Sequence, residues 1–145
     1  MTTHVATPSP AALLGLRVPE RDPLALVRAL EHGLPSRALL RFKKIAGLAD
    51  AEVATLLRLS GRTLTRMKTG APERLPADLS ERLYSLAAIY AEAEQVFGDR
   101  DTAWGWLDEP NVALARAAPR SLLNSELGRQ QVRALLKRIE FGLLA

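Results

Sequence analysis

The sequence predicts an all-α protein in two parts, an N-terminal helix-turn-helix domain followed by a small helical domain, and three observations carry that prediction. The first is the stretch Asp50 to Thr69, where a helical run, DAEVATLL, meets the short connection Arg58-Leu59-Ser60 and a second run, GRTLTRMKT, follows at once. The second is an apolar seam, Leu79, Leu83, Leu86, Tyr90, Ala93 and Phe97, at alternating spacings of four and three. The third is the punctuation of capping residues, glycines and prolines that divides the chain into helix-sized pieces.

Taken in order, residues 1–21 hold Pro8, Pro10 and Pro19 around the short apolar patch Ala11 to Leu16 and predict a loosely held arm, because helix cannot continue through prolines so closely spaced. Asp22-Pro23 then offers an N-cap followed by Pro at the first helical position, with Leu24, Val27, Ala29 and Leu30 on one side and a stop at Gly33 before Pro35. Ser36 is placed to cap the next helix, SRALLRFKKIAG, which sends Leu39, Leu40, Phe42 and Ile45 inward and leaves Arg37, Arg41, Lys43 and Lys44 in water. Those four cations either supplement contact to a polyanion or form a solvated face.

Within the helix-turn-helix, expected to span residues 22–77, the inward slots are Val53, Ala54, Leu57, Leu59, Leu64 and Met67. Ala54 is the informative one, since a bulky side chain at a steep crossing would hold the two axes apart. Arg58 stands where such turns usually carry Gly, so its backbone is either right-handed or an Arg accepts a left-handed conformation at some cost. Outward on the second helix lie Ser60, Gly61, Arg62, Thr63, Thr65, Arg66 and Lys68, with three cations and no carboxylate. Arg can pair with a guanine edge at two points and hydroxyls can bond phosphate, so Ser60, Arg62, Thr63, Thr65, Arg66 and Lys68 are the expected DNA-binding residues.

The charge distribution agrees. Residues 1–75 carry 12 Lys+Arg against 6 Asp+Glu, a net +6, while residues 76–145 carry 8 against 10, a net −2. A basic first half and a mildly acidic second half suit different partners, a polyanion for one and a protein for the other. With 145 residues, 48% of them hydrophobic, the chain can bury a core. It has no Cys, which rules out disulfides and thiolate metal sites and suits a cytoplasmic location. No apolar run approaches the ~20 residues of a membrane span, and the N-terminus lacks the basic region of a secretory signal.

The second domain, expected at 78–145, opens with a long helix from Asp78, with Glu81 in capping-box position, and closes it at Gly98. Its seam wants a helical partner, from this chain or from a second copy, which makes it a possible homodimer contact. Short helices follow, DTAWGWL and PNVALARAAPRSLLN, in which Trp104 packs with Leu107 while Trp106 points to an interface or the core. The last helix has Ser125 as N-cap, Val132, Leu135, Leu136 and Ile139 as its inner stripe, and Gly142 as its stop. After Gly142 come Leu143, Leu144 and Ala145, apolar residues that either fold back on their own core or enter something else.

An active site is not expected. His4 and His32 lie apart with no third ligand, the acids Asp99, Asp101, Asp108 and Glu109 lack the glycine a calcium loop needs and read as helix caps and surface, and no glycine-rich phosphate loop implies a cofactor.

With these segments laid out, the chain from about residue 23 onward resembles the Xre-type antitoxins of the Xre/MbcA/ParS group, partners of RES-domain toxins. The resemblance rests on HGLPSRALL, RLSGRTLTRMKTG and LSERLYSLAAIYAEAEQVFGD in the first part, and on AWGWLDEPNVAL, PRSLLNSELGRQQV and RIEFG in the second. It implies a non-enzymatic antitoxin that needs no cofactor, binds the promoter DNA of its operon as an autorepressor, and blocks the pocket of an NAD-consuming toxin with its C-terminal end. By that resemblance Arg138, Glu140 and Gly142 of RIEFG, the plug Leu143, Leu144 and Ala145, and the neighbouring Lys137 are the expected toxin-binding residues. The alternatives are a free-standing regulator whose C-terminal domain senses a ligand and a helical adaptor that binds protein only.

Overall fold

The computed structural model describes residues 8–70 and 72–143. Its eight α-helices are α1 (Pro10–Leu14), α2 (Pro23–His32), α3 (Ser36–Ala46), α4 (Asp50–Leu57), α5 (Gly61–Lys68), α6 (Ala77–Phe97), α7 (Arg100–Asp108) and α8 (Glu126–Glu140). Two 3₁₀ turns, Val112–Leu114 and Pro119–Leu122, join α7 to α8. Among the described residues there is no strand, only an isolated antiparallel bridge between Pro35 and Arg74.

The 21-residue α6 is the axis, and α1, α2, α4, α7 and α8 pack around it. The seam Leu79, Leu83, Leu86, Tyr90 and Ala93 is buried, and so are Ser80, Ala87, Ala88, Ile89 and Ala91 on its other sides. A helix apolar on nearly every side belongs inside a protein. The partner for the seam is therefore this chain's own helices, and α6 does not offer it to a second copy.

The arm departs from expectation. Residues 1–7, with His4, lie outside the described residues, but Ser9 caps α1 through the Ala12 amide (3.1 Å), Pro10 takes the first helical position, and Ala11, Leu13 and Leu14 are buried against α6 and α3. Proline spacing argued against helix continuing, whereas Pro10 starts one. The first turn of α2 departs too: Asp22 and Gly33 bound the helix as predicted, yet Leu24 and Val27 are 67% and 48% exposed, and the half-buried positions are Ala25, Leu26, Ala29 and Leu30.

Two expected caps do other work. Ser36 is the first residue of α3, after Pro35, and its hydroxyl donates to the Pro72 carbonyl. Asp78 lies inside α6, which starts after Pro76 with no side-chain cap, and the Asp78 carboxylate pairs instead with Arg82 at 3.7 Å. In both places a proline with extended backbone precedes the helix, so its start needs no Ser or Asp. The segments around these prolines hold each other. Leu34 N–H donates to the buried Ser80 hydroxyl (2.9 Å), Leu75 N–H to the Leu34 carbonyl (2.8 Å), and Ser36 N–H to the Glu73 carbonyl (3.0 Å).

Candidate functional site

Helices α4 and α5 form the predicted helix-turn-helix. Val53, Leu57, Leu64 and Met67 are buried, Ala54 and Leu59 are half-buried at the crossing and turn, and Leu56, which the expected register omitted, is buried as well. Arg58 at the turn is left-handed (φ 55°, ψ 46°). That settles the open choice, and the penalty for an L-residue there is about 1–2 kcal/mol. A hydrogen bond offsets part of it, because Arg58 Nε donates to the Asn124 carbonyl at 2.8 Å.

On α5 the six expected DNA-binding residues are not equivalent. Ser60 Oγ caps the helix through Thr63 N–H (3.1 Å) and bonds the Thr63 hydroxyl (2.8 Å), while the Thr65 hydroxyl donates to the Gly61 carbonyl (2.9 Å). Those three hydroxyls are engaged along their own helix. Lys68 is bonded to Asp50, whose other oxygen is 3.0 Å from Lys43 Nζ on α3. Arg62 and Arg66 are exposed one turn apart, and among the described residues neither side chain has an ion-pair or hydrogen-bond partner. Gly61 beside them has open space where a Cβ would stand. The outer face of α5 thus presents two guanidinium groups, unpaired among the described residues, beside bare backbone. Arg37, Arg41 and Lys44 on α3 are exposed as expected, and Lys43 is half-buried.

The other expected site lies at the end of α8. Ser125 caps this helix through Gly128 N–H (3.0 Å), and Val132, Leu135 and Leu136 are buried, with Ile139 half-buried. Arg133 clamps the helix to α6 by two bonds to Glu92, at 2.6 and 3.3 Å. Gly142 is left-handed (φ 67°), and the Leu143 amide bonds back to the Arg138 carbonyl at 2.8 Å, which ends the helix at Glu140. Lys137, Arg138, Glu140 and Gly142 are exposed, as are Phe141 (70%) and Leu143 (69%), so two apolar side chains stand in water at this tip. Leu144 and Ala145 lie outside the described residues. Beside the tip, α6 and α8 enclose a groove of about 140 Å³ lined by Glu92, Gln95, Val96, Leu136, Lys137 and Glu140.

Sequence reasoning missed Arg120. Its guanidinium joins Glu52 of α4 (2.7 Å) to Asp108 of α7 (3.1 Å), close to the Tyr90 hydroxyl. Burial raises the Tyr90 pKa, so that ring stays a neutral phenol, stacked edge-on against Phe42 of α3 and Trp104 of α7. Trp106 is half-buried against Phe97. Asp99 caps α7 through Thr102 N–H at 3.0 Å, as expected of it. Nothing in the one-dimensional pattern sets Arg120 apart from its neighbours.

Two family models match the chain. The Antitoxin Xre-like helix-turn-helix domain covers residues 25–88, and the Antitoxin Xre/MbcA/ParS C-terminal toxin-binding domain covers residues 92–142, so the two meet within α6. A protein named Antitoxin Xre from Yersinia enterocolitica is 27% identical over 141 residues, covering 97% of this chain and 95% of that relative. Another of that name, from Photorhabdus laumondii, is 26% identical over 80% of this chain and 78% of its own length. Among solved structures, a chain in the crystal structure of the M. tuberculosis MbcT–MbcA toxin–antitoxin complex matches with a TM-score of 0.55 and 28% identity, covering 76% of this chain and 96% of that one.

Proposed function

This chain belongs to the Xre-type antitoxins of the Xre/MbcA/ParS group, with a helix-turn-helix domain and a toxin-binding domain, and from that premise we propose a specific division of labour between its two ends. The C-terminal end occludes the active site of an NAD-degrading RES-type toxin, and α5 binds promoter DNA so that the chain represses its own operon. The protein works in the cytoplasm, as a homodimer.

The observation that carries this reading is the contrast between the two exposed surfaces. One presents Arg62 and Arg66 without partners among the described residues, the other presents Phe141 and Leu143 to water at the end of a helix. Unpaired guanidinium groups suit phosphates and guanine edges, whereas exposed apolar side chains at a helix tip suit a concave apolar pocket. Lys137, Arg138 and Glu140 ring that tip and match a polar rim, and Leu144 and Ala145 extend the plug. Since the α6 seam is covered, the second copy meets another apolar face, and Leu24 with Val27 on α2 is such a face.

Co-expression with the neighbouring reading frame tests the whole reading: a stable complex that suppresses NAD loss is expected, and a protein that binds promoter DNA but no partner would overturn it. Arg62→Ala and Arg66→Ala each weaken promoter binding by about 1–3 kcal/mol if they reach bases. Unchanged affinity and salt dependence in both would remove α5 from the interface. Deleting residues 143–145 abolishes neutralisation while leaving DNA binding intact. A truncated chain that still silences the toxin would show that these residues are not the plug.

A further inference from the structure

Arg37, Arg41 and Lys44 stand at positions i, i+4 and i+7 of α3, so one exposed face of that helix carries a row of three cations. Like charges spaced this way repel and weaken a helix. Among the described residues no carboxylate relieves them. Arg37 and Lys44 have neither an ion-pair nor a hydrogen-bond partner there, and Arg41 reaches only the Ala12 carbonyl, by two long bonds of 3.4 Å from Nε and Nη2. With Leu14, Gly15 and Leu40 the three cations line a depression of about 440 Å³ that holds no acidic side chain.

Arg41 has a fixed seat in it. Helix α1 ends at Gly15 with left-handed backbone (φ 66°), and a Cβ there would stand 2.7 Å from Arg41 Cδ, so the side chain lies across the turn where only glycine leaves room. A cation that is merely solvated needs no such seat. The far end of the row is joined to α5: Lys43, the neighbour of Lys44, shares the Asp50 carboxylate with Lys68, the last residue of α5, which holds the ends of α3 and α5 side by side. At a rise of 1.5 Å per residue, Arg37 and Lys44 are about 10 Å apart along the axis, the length of about three nucleotides of one DNA strand. Cations in a row suit a polymer charged at regular intervals rather than a single ion.

We propose that this row is a second DNA contact, which grips the sugar–phosphate backbone outside the stretch that α5 reads, with Arg41 as its fixed member and Arg37 and Lys44 on either side. Phosphate contacts carry no sequence information, so the row adds affinity and salt dependence without specificity. The inference rests on the proposed function, because it extends the DNA surface named there.

The test uses the full chain and duplexes carrying its own promoter, trimmed stepwise from both ends, with an unrelated duplex of each length for comparison. Affinity is measured against salt for the wild type, for the triple variant Arg37→Gln, Arg41→Gln, Lys44→Gln, and for the double variant Arg37→Gln, Lys44→Gln. The double variant removes no contact among the described residues and leaves Arg41 seated on Gly15, so it remains folded even if the triple variant does not. On the longest promoter duplex the slope of log affinity against log salt is expected to be shallower by about 2–3 in the triple variant and by about 2 in the double. The loss at about 0.1 M salt is at least about tenfold in the triple variant, by the same factor for promoter and unrelated duplex. On the shortest duplex that still binds, the variants match the wild type. Unchanged slopes on the longest duplex overturn the inference, and so does a loss confined to the promoter sequence or one that survives trimming. Wild-type binding to vesicles of phosphatidylserine and phosphatidylcholine that both variants lose, with DNA slopes unchanged, overturns it in favour of a membrane surface. All of these leave promoter binding by α5 standing. A wild type without measurable promoter affinity overturns the functional reading itself and the inference with it.

Discussion

Asp50 holds two cations that the proposed DNA-binding surface would otherwise present. Hydrogen bonds from Lys68 and then from Lys43 keep its carboxyl below the ordinary value of 3.8. Because the folded value is the lower one, the stabilisation is complete above the unfolded value and fades only as pH falls through the folded value, so the cluster is unaffected between about pH 5 and 8. Asp50→Asn therefore does at neutral pH what acid alone would otherwise do, and releases both lysines. The expected outcome is tighter promoter binding with the slope of log affinity against log salt steeper by about 1–2. An unchanged slope would place Lys43 and Lys68 away from phosphate. At the same scale, Arg58 shows how far a single residue is legible. Its departure from Gly was visible in the sequence, but whether the chain bent around it or it accepted the strain depended on an acceptor 66 residues away, the Asn124 carbonyl.

Most helix boundaries with a local signal were legible, α1 with its Ser9 cap and Pro10 start being the exception. Asp22 before Pro23, Ser125 at α8, and Gly33, Gly98 and Gly142 as stops all act within a few residues, and all stand where the pattern put them. Ser36 and Asp78 were misread because each follows a proline that already sets the helix start, so the side chain was free for a distant partner or a neighbouring turn. Leu24 and Val27 were misread because periodicity finds an apolar stripe but not whether anything covers it. At α8 the element depends on the absence of one carbon. Gly128→Ala would set a methyl group 1.8 Å from the Leu122 carbonyl oxygen and must push the helix off its turn. Destabilisation of about 1–3 kcal/mol is expected, read as a lower urea midpoint, together with weaker toxin binding. A variant as stable as the wild type would mean that the helix slides without cost.

Both halves of the molecule share one core. One continuous cluster runs from Leu13 through Phe42 and Leu57 to Leu136, and an edge-on stack of Phe42, Tyr90 and Trp104 carries it from α3 through α6 to α7. The two family domains meet inside α6, so neither has a separate core. Unfolding is therefore expected to be a single transition. Both tryptophans lie in α7, so their fluorescence follows the C-terminal half while far-ultraviolet circular dichroism follows every helix, and the two curves should coincide. Separated curves would show that the halves unfold independently.

By itself the sequence determined the all-helical class, the helix-turn-helix register and the stop of the last helix at Gly142, since spacing and capping act between residues a few positions apart. Only the tertiary structure decided that α6 serves as the shared axis rather than a seam for a second copy, that α1 is docked rather than loose, and that Arg120 and Arg58 bind the two domains together. Those outcomes turn on which surfaces meet after the chain has closed over 40 to 70 residues, as from Ser80 to Leu34 or from Arg120 to Glu52. Contacts of that span leave no periodic trace in one dimension.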